Sequence, residues 1–298
     1  MCLAAGPRSG GGPIPGTRHC ALHRVFARFC DEAMSPLSKY GSITSSIDWC
    51  EENFQLTPFV AEPVNTLSNL SFVLLGAIAA LHELHYNAPE KVFFALAVSI
   101  VIIGLGSMAF HGTLTKQGQQ LDELPMVYHL LICLYIIHRD SLSSIAQRYW
   151  TICALTIYGS IFTYFQMKYM TTTLFQAHFI AGLIGLSSSA YMKYKKYGNR
   201  LSTEKKSVIS LFLASGLTGM IFWLIDYHGC DFIRKYLHPF NPYGHAIWHL
   251  SMGYFAYLSI ILLRLLEDIK NERDVKVIYH YRFIPFIITT SDQIKFNF

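Results

Sequence analysis

The sequence predicts an all-α membrane protein, a bundle of seven transmembrane helices. Of 298 residues, 52% are hydrophobic and 14% charged, and the mean hydropathy of +0.31 is too high for an ordinary soluble domain. The apolar residues are also clustered. The clusters are about 20 residues long, the length that crosses ~30 Å of hydrocarbon as a helix.

The elements follow in chain order. Residues 1–33 are rich in Gly, Pro and Arg and lack an apolar core of signal-peptide length, so they receive no fold, and Met34 is an alternative start. Residues 34–62 form a polar N-terminal segment. Apolar spans then run near 64–82, 92–111, 124–138, 149–166, 174–192, 208–225 and 246–263, which makes 63–266 the bundle and 267–298 a tail. The third span is short unless it begins near Leu121 and absorbs Asp122, Glu123 and Pro125. Both acids then lie at a membrane boundary.

Basic residues in short loops mark the cytosolic side. Arg139 and Arg148, the group Lys193, Lys195, Lys196, Arg200, Lys205 and Lys206, and the group Arg264, Lys270, Arg273, Lys276 and Arg282 fall on one face by crossing count. The other face carries fewer basic residues, together with Asp48, Glu51, Glu52 and Glu62. The C-terminus is therefore expected in the cytosol and the N-terminal segment in a lumen or outside. The arginines of residues 1–33 run against this assignment, and the larger loop count outweighs them. The net charge of +5 follows from the same bias and fits a basic rim at the lipid surface, so no nucleic-acid partner is implied.

Cysteine positions carry further information. Cys133 and Cys153 lie within spans, where a thiol behaves as a small apolar residue. Cys50 precedes span one and Cys230 follows span six on the same non-cytosolic face, where a disulfide is permitted, so these two are expected to pair.

The crossing count also gathers a group of polar residues at one leaflet. Ser107 and His111 are one helical turn apart at the end of span two, Asp122 opens span three, and His245 and His249 are one turn apart at the start of span seven. Three neutral imidazoles can meet around one ion, and three protein ligands leave a fourth position open, as in catalytic zinc. Ser107 and His249 lie about one turn, ~6 Å, deeper than their partners, which sinks the site just below the membrane surface. A haem held by facing histidines is the alternative, and two histidines one turn apart with a third histidine and a carboxylate elsewhere suit zinc better. His82, His129, His138 and His178 are expected to be hydrogen-bonded structural residues.

The N-terminal segment offers hard oxygen donors in Asp48, Glu51, Asn53 and Glu62, with the Trp49 carbonyl beside them. This chemistry suits calcium, but on the residues alone a solvated acidic first helical turn is the simpler reading.

Over roughly 42–266 the chain resembles the alkaline ceramidases, within a wider group of intramembrane hydrolases sharing a serine, an aspartate and three histidines. The resemblance rests on Asp48-Trp49-Cys50-Glu51-Glu52-Asn53, Ala61-Glu62, Asn65-Thr66-x-Ser68-Asn69, Gly106-Ser107-Met108-Ala109-Phe110-His111, Leu121-Asp122-Glu123-Leu124-Pro125-Met126, Phe222-Trp223-Leu224-Ile225-Asp226 and His245-Ala246-x-Trp248-His249. The acidic opening distinguishes it from receptors of the progestin and adiponectin type.

The resemblance implies zinc-dependent hydrolysis of the ceramide amide to a sphingoid base and a fatty acid, in a multi-pass protein of endoplasmic reticulum or Golgi membranes. It also implies a regulatory calcium at Asp48, Trp49, Glu51, Asn53 and Glu62, which decides between the two readings of the acidic segment. Zinc brings the pKa of its water to about 7, supplying a nucleophile at neutral pH. Asp122 is then the candidate general base that later returns the proton to the leaving amine, and Ser107 the donor to the oxyanion. Asp226 either orients a zinc histidine or caps a helix, and the cap is the simpler reading. A lipid receptor using the same pocket without turnover is the rival, and a transporter is weaker because few polar residues fall at mid-membrane.

Overall fold

The computed structural model describes residues 39–86, 89–197, 201–237 and 243–289. The leader 1–33 and Met34 lie outside the described residues. From residue 39 onward the chain is mostly helical, and its helices coincide with the seven expected apolar stretches.

These helices are α1 (Pro63–His85), α2 (Lys91–Thr113), α3 (Lys116–His138), α4 (Ile145–Tyr169), α5 (Thr172–Tyr197), α6 (Thr203–Phe232) and α7 (Gly244–Lys270). Five of them, α1, α2, α3, α6 and α7, are long and apolar enough to cross a membrane. Helices α4 and α5 have 25 and 26 residues, long enough by rise alone, but are more polar.

Local chemistry explains several ends. Pro63 opens α1, where a missing N–H costs nothing. Ser144 and Gln147 form a reciprocal capping box at α4, and the Thr115 hydroxyl accepts from Gly118 N at the start of α3. That cap starts α3 at Lys116, two turns earlier than apolarity suggests. The extra polar stretch is buried: Gln119 is enclosed, donating to Glu123 (2.7 Å) and accepting from Ser46 N (2.8 Å).

Close approach of α2 and α3 depends on one glycine. Pro125 has no N–H to donate to the Leu121 carbonyl one turn back, and it is this Leu121 carbonyl that faces Gly106. A Cβ at position 106 would collide with it. Small residues let membrane helices meet at backbone distance, and here the meeting places Ser107, next in sequence, against Asp122.

The N-terminal segment lies on the histidine end of the bundle. Ala61 N donates to Gly112 O (2.9 Å), Glu62 N to His111 O (3.0 Å), and Cys50 is bonded to Cys230. The tail holds a departure from the all-helical expectation. Val275–His280 (β1) and Ile284–Thr289 (β2) form an antiparallel hairpin, with Val277 opposite Ile287. Val275, Val277 and Ile287 join the main apolar core, and His82 Nε2 lies 2.8 Å from Ile287 O.

At that end, opposite the histidines, Arg264 is buried beside Glu83, with its guanidinium 3.9 Å from the Phe93 ring centroid. Tyr86 donates to Asp268 (2.6 Å), which also pairs with Arg273 (2.9 Å). A buried ion pair contributes little net stability, but its geometric demands align the helices that share it.

Candidate metal centre and active-site cleft

His111, near the end of α2, and His245 and His249, in the first two turns of α7, are enclosed, and a nitrogen from each lies within 4.8 Å of the others. Among the described residues they are the only such group of histidines, cysteines or carboxylates. His111 Nε2 and His245 Nε2 are 3.3 Å apart. Two imidazoles bound to one tetrahedral zinc, with bonds of ~2.0–2.1 Å, place their nitrogens about 3.3 Å from each other.

Hydrogen bonds set two of the tautomers. His111 Nδ1 meets the Glu62 carboxylate, which can only accept there, so Nδ1 carries the proton and Nε2 keeps its lone pair. Ser68 Oγ donates to Asn65 O (2.8 Å), so it must accept from His249 Nδ1 at 2.7 Å. His249 Nε2 then keeps its lone pair, with Asn69 Nδ2 at 3.4 Å. His245 Nδ1 has no partner among the described residues, and its ring is held by stacking on Trp49 (3.5 Å between centroids) and Trp248 (5.0 Å). Such outer partners orient a ligand ring and choose its tautomer.

His245 is also placed through its backbone. Tyr243, at the cap position of α7, has a left-handed φ of 48° and gives no side-chain cap. Asp226 supplies it from within α6, accepting from His245 N (3.2 Å) and, with its other oxygen, from Cys50 N (3.0 Å). Asp226 thus caps α7, not the end of its own helix, which runs on to Phe232.

Ser107 Oγ lies 3.5 Å from His249 Nε2, and the Asp122 carboxyl faces both Ser107 and His111. Asp122 Oδ1 is buried without a partner among the described residues. A donor and an open acceptor therefore flank the three nitrogens. The four histidines expected to be structural are hydrogen-bonded, His82 to Ile287 O, His129 to Ser99, His138 to Ser189 and His178 to Leu174 O.

The acidic segment is arranged differently. Glu62 is enclosed on His111 and Asn65 (3.1 Å), and Glu51 accepts from Val64 N and Asn65 N (both 2.8 Å) at the start of α1. Asp48 accepts from Asn53 Nδ2 (3.0 Å), the Trp49 carbonyl accepts from Arg234 (3.3 Å), and Asn53 Oδ1 has no partner among the described residues. Burial, reinforced by the nearby Glu62 charge, raises the pKa of Asp48 and Glu51. An all-oxygen set with mutual repulsion and an unpartnered oxygen suits a hard cation, although these carboxylates converge less closely than the histidines do.

Ser68 and Asn65 belong to the run Asn65-Thr66-Leu67-Ser68-Asn69, whose residue types alone do not point to a task. The available signal was their spacing, which puts both on the turn of α1 that faces α7. Glu62 was grouped with the calcium donors, and its contact with His111 bridges 49 positions of sequence.

A cleft opens beside the histidines. Phe175, Phe179, Ile180, Met126, Met220 and Trp223 give it apolar walls, and Asp122, Glu123, Thr172, Gln176 and His245 are its polar lining.

Residues 41–288 match the Ceramidase family. The chain is 31% identical over 250 residues to an alkaline ceramidase of Arabidopsis thaliana, covering 84% of this chain and 94% of that protein. It is 30% identical to alkaline ceramidase 1 of Mus musculus, covering 90% and 91%, and 30% identical to alkaline ceramidase 3 of Mus musculus, covering 74% and 84%. With a match that runs from the acidic segment into the hairpin, this protein belongs to the ceramidase family.

Proposed function

We propose that this protein hydrolyses the amide bond of ceramides, releasing a sphingoid base and a fatty acid. One observation carries the proposal: an apolar cleft that ends on the histidine cluster and on a buried carboxyl with an open acceptor. A lipid with two chains and an amide at its polar end fits that polarity. His111, His245 and His249 would hold zinc, which when bound brings the pKa of a water to about 7. Asp122 accepts the proton of the attacking water through its open oxygen and returns it to the departing amine nitrogen. Ser107 donates to the amide oxygen as negative charge develops there. The test is release of both products from ceramide by purified protein, followed by mass spectrometry with and without zinc removal. No release by the zinc-loaded protein overturns the proposal. A receptor that binds lipid without turnover is not favoured, since a buried carboxylate oxygen left without a partner beside the three histidines is costly to keep for binding alone.

All seven helices are proposed to span the membrane, including α4 and α5. Their outward apolar residues, among them Ile157, Ile161 and Ile184, support this. The proposed orientation has the N-terminal segment lumenal and the tail cytosolic, in endoplasmic reticulum or Golgi membranes. A glycosylation acceptor introduced near Gly41 should be modified and one near Asn199 should not. The reverse pattern inverts the topology.

Calcium is proposed to bind among Asp48, Glu51, Asn53, Glu62 and the Trp49 carbonyl, bracing the N-terminal segment against α1. Because Glu62 also meets His111, the donors should behave differently. Asp48→Ala is expected to weaken the response of activity to free calcium while bound zinc stays near normal. Glu62→Ala should in addition lower zinc affinity about 10–100-fold, the usual effect of losing an outer partner. Activity titrated against calcium, with both metals followed by elemental analysis, checks this, and a flat calcium response in the wild type overturns the calcium assignment.

A further inference from the structure

The helix faces that carry the candidate catalytic residues continue into the bundle, and a second cavity lies between them. On α2, Ile103 is one turn deeper than Ser107; on α3, Met126 and His129 are one and two turns beyond Asp122; on α7, Met252 and Ala256 are one and two turns beyond His249. All five line this cavity. Residues three, four and seven apart share one face of a helix. The cavity therefore sits directly under the site, its nearer residues ~6 Å and its farther ones ~10 Å deeper on the 1.5 Å rise. Met126 and Phe179 line it and also line the cleft that Asp122 and His245 line. They are the partition between the two.

The two halves of that partition differ. Phe179 is held by its neighbours, its ring centroid 5.4 Å from that of Phe175 and 6.4 Å from that of Trp248. Met126 is an unbranched thioether, the kind of side chain that most readily reshapes an apolar wall. Behind it the lining is completed by Phe72, Leu130, Leu183 and Phe255. His129, the polar member, meets Ser99 Oγ through Nδ1 (2.8 Å) and Cys133 Sγ through Nε2 (3.6 Å), so both ring nitrogens are engaged within the protein. A cavity lined in this way suits hydrocarbon, not water.

We infer that this cavity receives the distal methylenes of the substrate's acyl chain, and that Met126 and Phe179 set the acyl length the protein accepts. The inference rests on the amide-hydrolysis reading. That reading places the carbonyl carbon among Ser107, Asp122 and the three histidines. The acyl chain starts at that carbon and is apolar from its first methylene, so it can run down the shared helix faces past Met126. The sphingoid chain starts with hydroxyl-bearing carbons, which match the polar lining of the cleft at Glu123, Thr172 and Gln176.

The experiment measures kcat/KM of the purified, metal-loaded protein on two series of ceramides, one lengthened in the acyl chain and the other in the sphingoid chain. Met126→Ala removes the movable half of the partition. It should raise the ratio of kcat/KM on a long to a short acyl chain about tenfold, the lower end of what an apolar pocket draws from one methylene. Ala256→Ile fills the cavity from behind, two turns beyond His249, and should lower the same ratio about tenfold. The ratio in the sphingoid series should stay as in wild type. Each ratio is taken within one preparation, so a partial folding defect cancels, and if Ala256→Ile does not fold, Met126→Ala decides alone. An acyl ratio equal to that of wild type in either folded variant overturns the inference, and so does an equal shift in the sphingoid series. Absence of any hydrolysis by wild type overturns the amide-hydrolysis reading itself, so the two failures are distinguishable.

Discussion

Replacing His111, His245 or His249 with alanine is expected to abolish turnover and metal binding together. Each supplies one of three nitrogens converging within 4.8 Å, and no other histidine, cysteine or carboxylate among the described residues joins that group. A site reduced to two ligands has no spare. The loss should exceed the 10–100-fold typical of an outer partner and reach ~10³-fold or more in activity if the nucleophile depends on the metal. The three variants differ in what else they disturb. His111→Ala removes from the buried Glu62 carboxylate one of its hydrogen-bond donors, leaving Asn65 Nδ2 and the Trp49 amide, whereas His249→Ala leaves Ser68 with its bond to Asn65 intact. His111→Ala should therefore also lower thermal stability more than His249→Ala, by about 1.5–3 kcal/mol for a lost hydrogen bond to a charged group. Metal content and activity measured on the same preparations check this. Stoichiometric zinc in an active triple variant overturns the site.

The Ser107/His111 and His245/His249 pairs were legible because i, i+4 spacing on an apolar stretch needs no tertiary information. Counting crossings then brought His111, Asp122 and His245 to one leaflet. What sequence could not supply were contacts whose logic is three-dimensional. Glu62 has the composition of a calcium donor, and only the fold shows that the backbone pairing of Ala61 and Glu62 with Gly112 and His111 also carries its carboxylate to His111 Nδ1. The cap expected of Asp226 is present, but which helix it serves is a tertiary fact: it caps α7 from within α6. The start of α3 was masked by its polarity, since Gln119 and Glu123 satisfy one another in a buried position and need no apolar side chain there. The hairpin at 275–289 did carry alternation, with Val275 and Val277 both buried, but the intervening Tyr281, Arg282 and Phe283 lack the glycine or asparagine that usually announces a turn. Tyr281 and Arg282 adopt positive φ there without it.

Asp122→Asn should keep the fold and the metal while turnover falls by about 10²–10⁴-fold, the range of a lost general acid–base group. Asparagine has the same shape, so the close packing of α2 on α3 around Gly106 and Leu121 is undisturbed. Asp122 is not one of the three converging nitrogen donors, so bound zinc should stay near one per chain. The difference lies at Oδ1, which faces no partner among the described residues and is open to accept a proton. An amide in that position still accepts a hydrogen bond but cannot take the proton and carry it to the amine. Ser107→Ala offers the comparison. Its hydroxyl lies 3.5 Å from His249 and faces Asp122, so removing it should cost ~10²–10³-fold through the oxyanion. If the two side chains act on one transition state, the double variant should lose far less than the product of the single losses, as residues that work as a unit do. Fully multiplicative losses would separate Ser107 from the proton transfer, and near-wild-type turnover in Asp122→Asn would remove Asp122 as the base while leaving the three histidines as they are.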